Sequence, residues 1–158
     1  MVPFDSYPGG GRALLGLAKG SSSRREYGPQ FMRLTSERLC AYCSCDFTKS
    51  YETWLTMALD HVVPASVCLS KNIPHEWCED FSNTVLACAA CNTFCNRYVV
   101  IDEIVQPVTL EAFFDLRDRV FAERKHLILE RHKAERLFFG EQPWEGRSNQ
   151  PFHSVIGK

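Results

Sequence analysis

The chain has 158 residues, of which 45% are hydrophobic, and a formal net charge of −1. This length predicts a single domain with a buried core, and no apolar run approaches the length of a membrane span. The near-neutral charge excludes a strongly basic chain and gives no overall sign of nucleic-acid binding.

The charge is distributed unevenly along the chain. Residues 1–39 carry a net charge of +3, residues 40–107 carry −5 and residues 108–158 carry +1. The acidic middle segment is a poor surface for phosphate, but it suits a bound cation, whose charge would offset part of the negative charge. The basic amino-terminal segment could contact a nucleic-acid backbone.

Residues 1–28 are predicted to form a flexible leader. They contain glycine and serine clusters, and they lack the charged region, the apolar region and the cleavage site of a signal peptide. We therefore expect the protein in a reducing cytoplasm, where paired cysteines more often bind metal than form disulfides.

Residues 29–140 are predicted to form the main domain, in which a short helix in GPQFMRLTSERLC leads to the first cysteines. The run WLTMALDHVVP has alternating apolar positions and closes at a proline, which is typical of a strand. A connection with one or two short helices follows. The run TVLACAACNTFCNRYVV is expected to begin as a strand and to continue as a helix.

A long amphipathic helix is predicted over residues 109–139. Thr109 is a candidate N-cap, apolar side chains recur at helical spacing after it, and a glycine and a proline end the pattern. We expect this helix to pack over the core, and we expect His126 and His132 within it to be exposed and without a role. Residues 141–158 are expected to form an irregular tail.

Two Cys-x-x-Cys pairs are the strongest signal in the chain: Cys40 with Cys43 in CAYC, and Cys88 with Cys91 in CAAC. A two-residue spacer lets a tight turn direct both sulfurs at one ion, so two such pairs can supply four thiolates to Zn²⁺. We expect this zinc site to be closed and structural. The long separation of the pairs predicts a sizeable insertion between them.

The other four cysteines leave the choice of ligands open. Cys45 follows the first pair by two residues and Cys95 follows the second by four, so either is an alternative ligand. Because the two Cys-x-x-Cys pairs share one spacing, we favour their four cysteines over Cys45 and Cys95 as the ligands. Cys68 and Cys78 are interpreted as small buried hydrophobic residues, although the segment HEWC, with His75, could be half of another metal site.

The segment MALDHVVPAS places an acid, Asp60, beside an imidazole, His61. Taken alone, such a pair is typical of a structural histidine held by a hydrogen bond. Its position between the two cysteine pairs, with Asn83 and Asn92 further along the chain, favours a functional site instead.

The combination CAYC … LDHVVPAS … NTVLACAACN resembles the HNH endonucleases, specifically the subgroup in which two Cys-x-x-Cys pairs bracket the nuclease motif. The resemblance covers about residues 38–100. It implies an α+β fold with a small ββα-metal core, in which a two-stranded hairpin and a helix hold one divalent cation, together with the structural zinc and the long C-terminal helix.

The resemblance also implies a role for each motif residue. His61 takes the place of the general base that removes a proton from the attacking water, and Asp60 takes the place of a ligand to the catalytic metal. Asn83 matches the residue that ties the loop to the hairpin, and Asn92 matches the second metal ligand. Mg²⁺ is the expected cation, with Mn²⁺ or Ni²⁺ as alternatives.

Two features depart from the simplest form of this site. The position four residues after Asn92 is often basic in the family, but here it is Asn96, followed by Arg97. In addition, adjacent residues of a regular strand point to opposite faces, so Asp60 and His61 could not approach one phosphate from a straight strand. We therefore predict that regular pairing is lost at or near this pair.

The expected function is hydrolysis of DNA phosphodiester bonds by a metal-dependent endonuclease. DNA is the expected partner, no association with a membrane is expected, and the chain could form a homodimer or bind a partner protein. One alternative is a non-catalytic zinc module that recognises nucleic acid or protein. A second is a nuclease subunit that is inert until a partner supplies DNA, which the near-neutral charge favours because lysine and arginine usually provide phosphate affinity.

Overall fold

A computed structural model describes residues 3–4, 7–15, 23–95, 98 and 106–145 of the chain. It is a small α+β fold with a two-stranded sheet and a long C-terminal helix, as the sequence predicts. The α-helices of the described part are α1 (Arg24–Thr35), α2 (Tyr51–Leu55), α3 (Ala65–Ser70), α4 (His75–Cys78), α5 (Ala89–Phe94) and α6 (Leu110–Gly140). Short 3-10 helices cover Arg12–Leu15 and Phe81–Asn83.

The sheet is an antiparallel pair of five-residue strands, β1 (Met57–His61) and β2 (Thr84–Cys88). Every residue of β2 is buried, whereas β1 is buried only at its first residue. The register sets Met57 opposite Cys88 at one end and His61 opposite Thr84 at the other. The hairpin therefore joins the second cysteine pair to the Asp-His segment.

Helix α5 begins directly after β2, so strand and helix meet at the second cysteine pair. Cys88 is the N-cap of α5, and its sulfur accepts a hydrogen bond from the backbone N–H of Cys91. The last residue of the sheet and the first turn of the helix thus form one knuckle.

Helix α6 has the N-cap that the sequence predicts, since the Thr109 side chain accepts a hydrogen bond from the backbone N–H of Ala112. Its buried apolar residues lie in the first two thirds of the helix: Phe113, Leu116, Val120, Phe121 and Ile128. Two arginines are buried on the same side. None of the helices in the described residues is both long enough and apolar enough to cross a membrane.

Several apolar side chains in the described part of the predicted leader pack into the core. Phe4 and Leu15 are buried, and the Tyr7 ring packs edge to face against Phe31 at 5.5 Å and Phe81 at 5.6 Å. Helix α1 also begins inside residues 1–28. The structure differs from the expected leader because Phe4 packs against Phe121 of α6 and Tyr7 packs against Phe31 of α1. Much of the central Gly/Ser cluster, residues 16–22, lies outside the described residues.

Neighbouring leucines of the first 3-10 helix allow this packing to be tested. Leu15 is 1% exposed and Leu14 is 36% exposed. We expect Leu15→Ala to lower the free energy of unfolding by about 2–5 kcal/mol because it leaves a cavity in the core. Leu14→Ala should change it by less than about 0.5 kcal/mol. Urea denaturation measures both values, and equal, small effects would show that this segment does not contribute to the core.

Candidate functional site

The two cysteine pairs meet at one point. The sulfur atoms of Cys40, Cys43, Cys88 and Cys91 all lie within 4.8 Å of one another, and those of Cys43 and Cys88 are 3.7 Å apart. Two thiolates bound to one zinc at 2.3 Å with tetrahedral angles stand about 3.8 Å apart. The four cysteines can therefore hold a structural metal such as zinc.

Backbone hydrogen bonds fix the two knuckles against each other. The N–H of Ala41, inside the first knuckle, donates to the Leu86 carbonyl of β2 at 2.9 Å. The N–H of Cys88 donates to the sulfur of Cys40 at 3.3 Å. The first knuckle closes at Ser44, whose φ of 61° lies in the left-handed region and whose N–H donates to the Cys40 carbonyl.

The proximity of the four thiols changes their acidity. Hydrogen bonding with Cys43 lowers the pKa of Cys40 to about 7, and hydrogen bonding with Cys40 lowers the pKa of Cys88 to about 6. The hydrogen bond with Cys40 raises the pKa of Cys43, but those with Cys88 and Cys91 outweigh it, so this pKa also falls to about 6. Hydrogen bonds with the other three raise the pKa of Cys91. A metal ion would displace the proton that this last thiol retains.

The remaining cysteines are not part of this cluster among the described residues. Cys45 is half-buried beside it, and burial raises its pKa. Cys95 is buried after α5, and burial raises its pKa as well. Cys68 and Cys78 are both buried, as the sequence predicts. The equal spacing of the two pairs was therefore the right guide to the cluster.

Helix α6 contributes a histidine to the cysteine cluster. Nε2 of His132 lies 3.1 Å from the sulfur of Cys91, and its ring packs edge to face on Phe94 at 5.0 Å. The expectation that His132 is exposed is wrong, because it is half-buried against these residues, whereas His126 is exposed as expected. A ring N–H directed at a ligand sulfur is a common means of orienting and stabilising a metal ligand.

Asp60 is held in an ion pair that is largely screened from solvent. Its Oδ2 atom accepts hydrogen bonds from the Tyr42 hydroxyl at 2.7 Å and from Nη2 of Arg124 at 2.8 Å. Only 11% of the Asp60 side chain and 2% of the Arg124 side chain are exposed. Nη1 of Arg124 also donates to the carbonyls of His61 and Val62, at 2.6 and 2.8 Å. The sequence did not single out Arg124 or Tyr42.

His61 contacts a different element. Its Nε2 atom lies 3.0 Å from Oε1 of Glu79, the residue that follows α4, and the two side chains are 23% and 31% exposed. The sulfur of Cys78 lies close to this pair, within 4.8 Å of a ligand atom of each partner. Glu79 was also not singled out by the sequence.

The pairing of β1 remains regular through both residues. Asp60 is opposite Val85 and His61 is opposite Thr84, and the strand ends immediately after His61. The loss of regular pairing that we predict at or near this pair therefore comes at its far side, where the strand ends. No bulge separates Asp60 from His61, so strand alternation still directs their side chains to opposite faces. The structure therefore does not bring the Asp60 and His61 side chains together.

Asn83 is fully buried and bridges two segments. Its Oδ1 accepts from the N–H of Val63 at 2.9 Å, and its Nδ2 donates to the carbonyls of Val63 at 3.2 Å and Cys78 at 2.8 Å. Asn92 lies half-buried on α5, directly after a cysteine of the cluster. Asn96 and Arg97 lie outside the described residues.

The described chain thus combines a four-cysteine cluster that can hold a structural metal with a histidine and a carboxylate at the end of the hairpin. The cluster can do no acid–base chemistry once four sulfurs saturate a tetrahedral ion. An imidazole beside a carboxylate can accept a proton or bind a cation. No family model matches the chain, and no curated protein sequence or solved structure matches it.

The ligand choice has a test with a matched control, because Cys43 and Cys45 are both half-buried cysteines of the same loop. We expect Cys43→Ser to lose the cluster's metal and the cooperative thermal transition, since a structural zinc contributes directly to folding. We expect Cys45→Ser to retain both. Metal content per chain and circular dichroism measure the difference, and retention of the metal by Cys43→Ser would rule out this ligand set.

The ion pair also has a quantitative test. Arg124→Met leaves the Asp60 charge buried without its partner, which should cost about 3–5 kcal/mol of unfolding free energy. Arg131→Met removes an arginine whose ion pair with Glu135 is exposed, and should cost less than about 1 kcal/mol. In denaturant unfolding, the double change Asp60→Asn with Arg124→Met should be less destabilising than the sum of the two single changes. Simple additivity would show that the two side chains do not interact.

Proposed function

We propose that this chain is a metal-dependent endonuclease of the HNH type that hydrolyses DNA phosphodiester bonds. The observation that carries the proposal is the position of Asn83. The HNH resemblance assigns this residue the task of tying the loop to the hairpin. The Asn83 side chain hydrogen-bonds both the backbone N–H and the carbonyl of Val63, which lies two residues after His61. This is the contact expected of the motif asparagine, and it holds the chain immediately after the proposed base.

His61 is the general base of this proposal. Glu79 orients the ring through Nε2, and in the tautomer that donates Nε2–H to Glu79 the basic nitrogen is Nδ1. In the reaction, Nδ1 accepts a proton from water, the resulting hydroxide attacks phosphorus, and the bond from phosphorus to the leaving oxygen breaks. A divalent cation, when bound, neutralises charge on the phosphate and on the leaving oxygen.

Asp60 and Asn92 are the proposed ligands of that cation, and oxygen donors of this kind suit Mg²⁺ or Mn²⁺. The ion pair with Arg124 occupies only one oxygen of the Asp60 carboxylate, because the hydrogen bonds from Tyr42 and Arg124 in the described structure both fall on Oδ2. Oδ1 is the atom that would bind the cation. Arg124 would then orient the carboxylate, at the cost of a positive charge near the ion.

A second candidate function is a non-catalytic module, stabilised by zinc in the four-cysteine cluster, that binds nucleic acid or protein. The observation that favours it is the same buried pair of Asp60 and Arg124, in which the charge of the carboxylate is already balanced. The separation of the Asp60 and His61 side chains on opposite faces of β1 favours it as well. In this case His61 and Glu79 would be a structural pair.

Cleavage of supercoiled plasmid by the purified full chain with Mg²⁺ or Mn²⁺ distinguishes the two candidates. We expect wild type and His75→Ala, which alters an exposed histidine of α4, to cut at the same rate. We expect His61→Ala to cut at least about 100-fold more slowly, as loss of a general base requires.

Circular dichroism of each variant serves as the control for folding. Undiminished cutting by a folded His61→Ala would exclude His61 as the base. Plasmid binding without cutting by wild type would favour the binding module.

A further inference from the structure

We propose that His61, Cys78 and Glu79 form a second metal site, distinct from the four-cysteine cluster, and that it binds Zn²⁺. One ligand atom from each residue, a ring nitrogen, a sulfur and a carboxylate oxygen, lies within 4.8 Å of the other two. The proposal concerns metal binding alone and does not depend on nuclease activity.

The three residues reach this point from two segments that are already fixed to each other. His61 ends β1, Cys78 ends α4, and Glu79 follows it. Asn83 links the two segments, since its side chain bonds the carbonyl of Cys78 and both backbone groups of Val63. The ligands are therefore held near one another by the fold, which lowers the entropic cost of closing around an ion.

The spacing is compatible with coordination after small movements. A nitrogen and an oxygen bound to one zinc at about 2.0–2.1 Å with tetrahedral angles stand about 3.4 Å apart. Nε2 of His61 and Oε1 of Glu79 lie 3.0 Å apart, so they need to separate by only a few tenths of an ångström. Both side chains are partly exposed, at 23% and 31%, so they can move and an ion can enter from solvent.

The donor set selects the ion. A thiolate, an imidazole and a carboxylate together suit Zn²⁺ or Co²⁺, whereas Mg²⁺ and Ca²⁺ prefer oxygen donors alone. The thiolate of Cys78 and the carboxylate of Glu79 also balance the two positive charges of the ion. The metal centre is therefore neutral overall, which suits a site that includes the buried Cys78. Three protein ligands leave a fourth position for water or for an oxygen of another molecule, unlike the four-cysteine cluster.

Other residues near Cys78 provide controls. Hydrogen bonding with Cys78 raises the pKa of Cys68, whose sulfur also donates to the Val63 carbonyl at 3.9 Å. Cys68 is buried to the same extent as Cys78, at 3% exposed, but is not part of the His61 and Glu79 cluster. Glu76 is an exposed carboxylate on α4, three residues before Glu79. Changes at Cys68 and Glu76 therefore control for loss of a neighbouring thiol and of a neighbouring charge.

The test is titration of the full chain, already loaded with one equivalent of zinc, with Co²⁺ in the absence of Mg²⁺ and DNA. We expect wild type to bind one further equivalent and to show visible bands of tetrahedral cobalt with a thiolate-to-cobalt charge-transfer band. His61→Ala and Glu79→Gln should weaken this binding at least 10-fold. Cys78→Ser should also remove the charge-transfer band.

Cys68→Ser and Glu76→Gln should bind cobalt as wild type does. Because Cys78 is buried, circular dichroism must accompany its variant, and Glu79→Gln provides the test at a half-exposed position. The proposal is overturned if zinc-loaded wild type takes up no cobalt, or if folded Glu79→Gln binds it with unchanged affinity. Neither result depends on whether the chain cleaves DNA.

Discussion

The buried guanidinium of Arg124 is the interaction on which the arrangement around β1 depends. It extends from the middle of α6 to the edge of the sheet, where it pairs with Asp60 and donates to the carbonyls of His61 and Val62. The Arg124 side chain is only 2% exposed, and a buried charge is tolerated only when an opposite charge and hydrogen-bond acceptors compensate its loss of solvation. The long helix and the end of the strand are therefore positioned by one side chain, and neither can shift without exposing or isolating a buried charge.

The hairpin itself is short, and a pair of five-residue strands is marginally stable on its own. It is held at both ends. At one end, Cys88 joins the cysteine cluster and the first knuckle bonds to β2. At the other end, Asn83 and Arg124 satisfy the backbone groups that follow β1. The strands between these two anchors can therefore keep a regular register without a larger sheet, and that regularity is what separates Asp60 from His61.

The sequence predicts those features that depend on local patterns. The Thr109 cap and the periodicity of α6 are local, and the cysteine cluster follows from two equal spacings. Other site residues depend on the packing of distant elements, which no local pattern reports. Arg124 is one charged residue among many on an amphipathic helix, Glu79 is one acid in an acidic segment, and His132 reaches the cysteines because α6 packs against α5. The predicted loss of regular pairing at or near Asp60 and His61 rests on the geometry of one shared phosphate, whereas pairing in β1 continues through both residues and ends directly after His61.

The contact between His61 and Glu79 gives the imidazole two uses that exclude each other. As a base, the ring carries its proton on Nε2, directed at Glu79, and accepts a second proton at Nδ1. With zinc on Nε2, the single proton of the neutral ring must move to Nδ1, and that nitrogen becomes a donor. If both proposals hold, zinc in the second site inhibits cleavage, because it keeps a proton on Nδ1 and so prevents this nitrogen from accepting one from water. The free zinc concentration would then set the fraction of molecules able to activate water.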